Sequence, residues 1–291
     1  MRLDGRRNSS NIQDRRGMSG KTIGIGGGIA GVIIAAIITL LSGGDLGDVA
    51  SSALNALGDG SGANTTAVAD DPETQRLYDL SSKVLAGTED VWTREFQQNG
   101  WGEYQPPQMV IYSGSIQTGC GQGNAQVGPF YCSADQTVYI DLDFFKTMQS
   151  QIGASGDFCY AYVIAHEVGH HVQHLLGTLG QAHSAMSRLS ETEANQISVR
   201  LELQADYYAG VWGHDDNEMF GSIEPGDIEA AINAASKIGD DYLQKKAYGR
   251  EMPESFNHGR SEWRMRWLSK GLQSGDAKGG DVLFSLPYGN F

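Results

Sequence analysis

Two histidines four residues apart, with a glutamate directly after the first, stand at 166–170 in the run "CYAYVIAHEVGHHVQHLL". Val163, Ile164, Val168, Val172 and Leu175 recur around them at helical spacing and no proline intervenes, so the run predicts a helix. Positions i and i+4 of a helix share one face about 6 Å apart along the axis, which lets His166 and His170 close on one ion at roughly 2.0–2.1 Å from each ring nitrogen. Glu167 lies about 100° around the helix and can lean over the ion's open side. Two neutral imidazoles as ligands and a carboxylate general base suit metal-assisted hydrolysis of a peptide bond.

Average residue usage puts such a pattern by chance in roughly one chain in a hundred of this length, so a third ligand is needed. His174 lies about 12 Å along the axis from His166, out of reach of the same ion. His171 and His174 therefore read as surface or outer-lying residues. The pattern that would continue with a glycine and a third histidine fails, because Gln173 and Leu176 hold those positions. Downstream, "ELQAD" places Glu202 and Asp206 on one face of a long proline-free stretch, 187–213. Glu202 suits a carboxylate ligand, and Asp206 an acceptor that fixes a ligand histidine's tautomer through its other ring nitrogen.

The elements that must position these groups belong to a chain of 291 residues with a formal net charge of −14. The charge is uneven. Residues 1–21 hold six Arg and Lys against two Asp, and the acidic remainder would repel phosphates, which excludes a nucleic-acid binder. Residues 22–42, "TIGIGGGIAGVIIAAIITLLS", carry no charge and are long enough to span the roughly 30 Å hydrocarbon core. Basic residues before them and acidic ones after predict a single-pass anchor with a cytoplasmic N-terminus and the remaining chain on the periplasmic or extracellular side. A cleaved signal peptide is the rival reading. Residues 43–71, rich in Gly, Ser, Ala, Asn and Asp, read as a flexible linker, and 72–291 as one domain that begins at an Asp71-Pro72 helix start.

That first helix would turn Leu77, Leu80, Val84 and Leu85 inward. "MVIYSG" and "TVYIDLDFF" then read as strands of a small antiparallel sheet, giving an α+β, mainly helical fold. Between them Cys120 and Cys132, with eleven residues separating them, read as a disulfide outside the cytoplasm, and Cys159 reads as a buried free thiol. A helix over about 225–248 would bury Ile228, Ala231, Ile232, Ala235 and Ile238, and a last one carries Trp263 and Trp267 at i and i+4.

"MRLDGRRNSSNIQDRRG", "CGQGNAQVGPFYC", "VYIDLDFF", "AYVIAHEVGHHVQ", "ANQISVRLELQAD" and "HGRSEWRMRW", in that order, give nearly the whole chain a resemblance to the bacterial neutral zinc metallopeptidases. The HExxH pair with a downstream ExxxD also resembles the wider gluzincin group. The resemblance implies a zincin-like fold with a small sheet over the active-site helix, one Zn2+ per chain held by His166, His170 and Glu202, and Glu167 as base. It also implies that the strand at Val138 to Leu142 receives a peptide or protein substrate as an added strand. His258, in "NHGRS", is the preferred oxyanion donor besides zinc, with Tyr207 as the other candidate. The alternative, a membrane-tethered binding or scaffold protein with a non-catalytic zinc site, would require a fourth protein ligand. No feature of the sequence fixes an oligomeric state.

Overall fold

The computed structural model describes residues 1–17, 71–125 and 128–291. Asp71 accepts a hydrogen bond from the Thr74 backbone N–H with Pro72 at the first helical position, which starts α1 (Pro72–Asn99). Leu77, Leu80, Val84, Leu85, Trp92 and Phe96 of α1 are buried. The expected membrane span, 22–42, and the linker up to residue 70 lie outside the described residues. Among the described residues no helix is long and apolar enough to cross a membrane.

The sheet follows: β1 (Ile12–Asp14), β2 (Gln108–Tyr112), β5 (Phe130–Cys132) and β6 (Thr137–Asp141), in the order β1-β2-β6-β5. A separate hairpin, β3 (Ser115–Thr118) with β4 (Gly121–Asn124), lies between β2 and β5 in the chain. The sheet is mixed rather than antiparallel. β2 runs parallel to both β1 and β6, and only β5 and β6 are antiparallel. The cause is the excursion through β3, β4 and β5, which turns the chain back before β6 begins. The same order corrects a second expectation: β6 has a neighbour on each side and cannot receive a substrate strand. Cys120 and Cys132 are bonded, and Cys159 is a buried free thiol that burial pushes up to about 12.

Residues 1–17 also depart from the separate basic head that their charge predicts. β1 adds to the domain's sheet, the Met109 N–H donates to Asn11 O, and the Arg15 N–H donates to Ile111 O.

After α2 (Asp143–Thr147) come α3 (Asp157–Leu175), α4 (Thr178–Met186) and α5 (Glu191–Phe220). Ser190 and Glu193 form a reciprocal capping box at the start of α5. α3 and α5 cross closely because α3 has a glycine where they meet: a Cβ on Gly169 would lie 3.0 Å from Ala205 O. The expected helix over 225–248 is two, α6 (Asp227–Lys237) and α7 (Asp240–Tyr248), broken where Gly239 packs against the Ser261 backbone. Ala231, Ala234 and Ala235 are buried, whereas Ile228 faces outward. α8 (Ser261–Ser274) lies on α5 through Gly210 and Gly271, with Trp267 buried.

Candidate metal centre

The α3–α5 crossing puts one turn of each helix face to face. His166 and His170, a turn apart on α3, meet Glu202 of α5. His166 Nε2 lies 3.2 Å from one Glu202 carboxylate oxygen and His170 Nε2 lies 3.3 Å from the other. One donor atom from each of the three residues fits within 4.8 Å of the others, a spread that a single cation can draw together. Glu202 and His166 are buried, and His170 nearly so.

Each ring's other nitrogen is already committed. His166 Nδ1 lies 2.9 Å from Asp206 Oδ1, and His170 Nδ1 lies 2.9 Å from Gln173 Oε1. Both acceptors require an Nδ1–H, which leaves each Nε2 lone pair for an ion. This donor set, two imidazoles and a carboxylate with both tautomers fixed, fits Zn2+.

The support of the two histidines differs. Asp206 is fully buried and accepts from Tyr162 Oη at 2.6 Å, from Arg264 Nε at 2.7 Å and from Arg264 Nη2 at 2.9 Å. Arg264 comes from α8, and its Nη2 also lies 3.8 Å from Glu202. Gln173 holds His170 through neutral groups: its Nε2 donates to Leu201 O and to Gln204 Oε1, and Gln204 Nε2 donates to Asp281.

Charge shifts follow from this burial. Desolvation opposes a charge on His166, but the Asp206 and Glu202 carboxylates, both hydrogen-bonded to it, together outweigh that and raise the ring to about 10. His170 moves up despite its burial because Glu202 faces it, and Glu202 in turn falls well below the usual carboxylate range under the pull of both rings. Glu167 moves up through burial, against the attraction of the two histidines.

Residues 1–283 match the family described as "Putative neutral zinc metallopeptidase". The chain belongs to this family. It is 44% identical over 283 residues to the protein named "Uncharacterized protein YpfJ" of Escherichia coli strain K12, covering 95% of this chain and 96% of that one. Similarity to "Uncharacterized protein Rv2575" of Mycobacterium tuberculosis strain H37Rv is 43% over 183 residues, 60% of this chain and 61% of that one. No solved structure matches.

In this family member neither Tyr207 nor His258 is one of the three residues that can share an ion. Tyr207 points elsewhere: its hydroxyl donates to Asp276 O at 2.7 Å and lies 2.8 Å from Ser274 Oγ. His258 is buried in a loop tied down at Asp240, whose Oδ2 accepts from the backbone N–H groups of Asn257, His258 and Gly259. Its Nδ1 lies 3.1 Å from Asp240 Oδ1, and Gly259 rests on Val199 and Leu203, which flank Glu202 on α5. His171 is not a surface residue. It joins α3 to the sheet, between Gln105 O at 2.7 Å and the Tyr131 hydroxyl at 2.9 Å.

Sequence reasoning missed Gln173 and Arg264. Gln173 follows His170 by three, one turn on, a position from which an amide can reach back to a ring. Arg264 shares a helix face with Trp267, Leu268 and Gly271, all buried, and an arginine on an apolar stripe is itself a signal.

Proposed function

We propose that the chain is a membrane-attached zinc-dependent peptidase in which His166, His170 and Glu202 hold the ion and Glu167 is the general base. One observation carries the reading: two Nε2 atoms and one carboxylate converge from two helices while each Nδ1 is tied to an acceptor outside the cluster. When bound, zinc would polarise the scissile carbonyl and acidify a water. Glu167, whose proton affinity burial has raised, takes the proton from the attacking water and passes it to the leaving amine. Asp206, held by Arg264, keeps His166 in the tautomer that binds. His258, fixed by Asp240, is the proposed donor to the developing oxyanion.

A peptide would lie along β5, the edge strand of the sheet on the side away from β1, whose Tyr131 packs on His171 and His174 of α3. The scaffold alternative lacks its fourth ligand: among the described residues the cluster contains three metal-binding groups. In this reading the reaction site lies outside the cytoplasm, which the Cys120–Cys132 bond supports, and membrane attachment rests on the apolar 22–42 segment.

The test compares zinc content and cleavage of an unfolded protein by the wild-type chain and by Glu167→Gln. Zinc retained with cleavage abolished is expected. Equal cleavage by both removes Glu167 from the chemistry.

A further inference from the structure

We infer that residues 1–17 are an integral part of the catalytic domain, and that the N-terminus and the domain therefore share one side of any membrane that residues 22–42 enter. The second clause rests on the membrane attachment proposed above; the first does not.

The N-terminal segment fits a built receptor. Arg6 reaches between α1 and α5 and grips Asp216 with two hydrogen bonds, Nη2–Oδ1 2.7 Å and Nη1–Oδ2 3.2 Å, while its guanidinium lies 3.7 Å over the Phe220 ring. Asp216 is fully buried. Arg7 pairs with Asp90 at 2.6 Å and Glu89 at 2.9 Å and donates to Ala86 O. Glu89, also buried, accepts from Ser9 Oγ at 2.5 Å and Asn11 Nδ2 at 2.8 Å. Without residues 6–11 these two carboxylates would lose those partners while remaining in the protein interior, an arrangement that proteins avoid.

The receptor is visible in α1 itself. Gly87 stands in the middle of that helix, where glycine is unfavourable. A Cβ there would lie 2.7 Å from Asp216 Oδ1 and 2.8 Å from Arg6 Nη2. The helix thus carries a gap in the shape of the docked ion pair. β1 then completes the edge of the sheet beside β2.

The docked segment changes how the charges around residues 22–42 orient the chain. Arg6 and Arg7, part of the basic run that would hold the N-terminus in the cytoplasm, are paired with acids of the domain. A single crossing would place residue 17 and residue 71 on opposite faces. Returning would need a second apolar stretch of about 20 residues. Residues 43–70 contain Asp45, Asp48, Asp59 and Asp70 among many glycines and serines and offer none. With residues 1–17 docked on the domain, residues 17 and 71 stand on the same face of any such membrane.

Two single-cysteine reporters in the full-length chain test this, Ser10→Cys and Glu229→Cys, both at exposed positions, with Cys120 and Cys132 bonded and Cys159 buried. Intact cells are treated with a membrane-impermeant maleimide before and after permeabilisation. The inference expects both sites to label alike, either both in intact cells or both only after permeabilisation. Labelling of position 229 with protection of position 10, or the reverse, would overturn it. Alkaline extraction of membranes, run in parallel, reports on attachment separately: a fully extracted protein whose two sites still label alike retires the membrane reading and leaves the shared compartment standing. Hydrogen exchange of the purified chain provides an independent check, with slow exchange at Arg15 expected in the wild type and faster exchange in Arg6→Ala. Equally fast exchange in both sinks the docking.

Discussion

Replacing Asp206 by asparagine keeps the shape of the side chain and removes its charge, so it separates orientation from packing. Asp206 Oδ1 serves three donors, Tyr162 Oη, His166 Nδ1 and Arg264 Nη2, and Oδ2 serves Arg264 Nε. The amide would keep its oxygen at the Oδ1 position and turn its NH2 against Arg264 Nε–H. Arg264 would then be a buried cation with only Glu202, 3.8 Å away, to balance it. Breaking a buried ion pair from one side costs about 3–5 kcal/mol, and the isosteric amide with Glu202 nearby favours the lower end. A domain with about 5–15 kcal/mol of stability would still fold. Loss of a charged acceptor behind a ligand histidine lowers metal affinity about 10- to 100-fold. The assay is zinc competition against a chelator of known affinity, with thermal melting alongside. Unchanged zinc affinity in Asp206→Asn would refute the claim that Asp206 orients His166. Pairing Asp206→Leu with Arg264→Met removes both charges, and should recover stability without recovering zinc affinity.

Gly169→Val should destabilise by about 1–3 kcal/mol, since its side chain must push Ala205 away, and zinc content should fall with it because Glu202 rides on the displaced helix. Wild-type zinc content in a destabilised Gly169→Val would count against the crossing as what brings the carboxylate in. Glu95 is pushed up to about 7 by burial and then by the charge of Asp215. The native state therefore binds this proton more tightly than the unfolded chain, and the associated stability, full below about pH 4.5, is lost as pH rises to 7. Glu95→Gln should raise stability at pH 8 by roughly 1–2 kcal/mol, allowing for the share of the shift that belongs to Asp215, with the gain in melting temperature vanishing near pH 4.5. Reducing the Cys120–Cys132 bond should cost about 3 kcal/mol, the value for a loop of that size, read as a drop in denaturation midpoint.

The helical spacing of His166 with His170 and of Glu202 with Asp206 was legible because each pair lies on one helix, where i and i+4 must share a face. That the two faces meet depends on Gly169 against Ala205, a backbone-to-backbone fit that no periodicity announces. Asp206's partnership with His166 could be anticipated from the need for a tautomer-fixing acceptor. Arg264 could not, since nothing local ties it to a carboxylate 58 residues earlier. Strand direction escaped for a similar reason: two apolar runs look antiparallel until the β3–β4 hairpin and β5 between them are counted as turns of the chain. The N-terminal arginines carry two readings. Read alone they are an orientation signal; beside Asp216, Glu89 and Asp90 they are ion-pair partners.

The charges around the candidate metal centre make a quantitative demand on whatever fills it. Glu167, Glu202 and Asp206 supply three carboxylates and Arg264 one guanidinium, so with both histidines neutral the buried group carries two negative charges. A low-dielectric interior does not tolerate that imbalance. Without an ion the histidines answer by taking protons, which is why His166 rises to about 10 and His170 rises with it. Protons and a divalent cation compete here for the same Nε2 lone pairs. Zinc binding at neutral pH should therefore release the proton held on His166, and affinity should weaken as pH falls. Calorimetric titration in buffers of different ionisation enthalpy measures that release directly. Release of no protons near pH 7 would mean that the histidines are neutral without metal, and that the carboxylates behind them do not set the charge of the site.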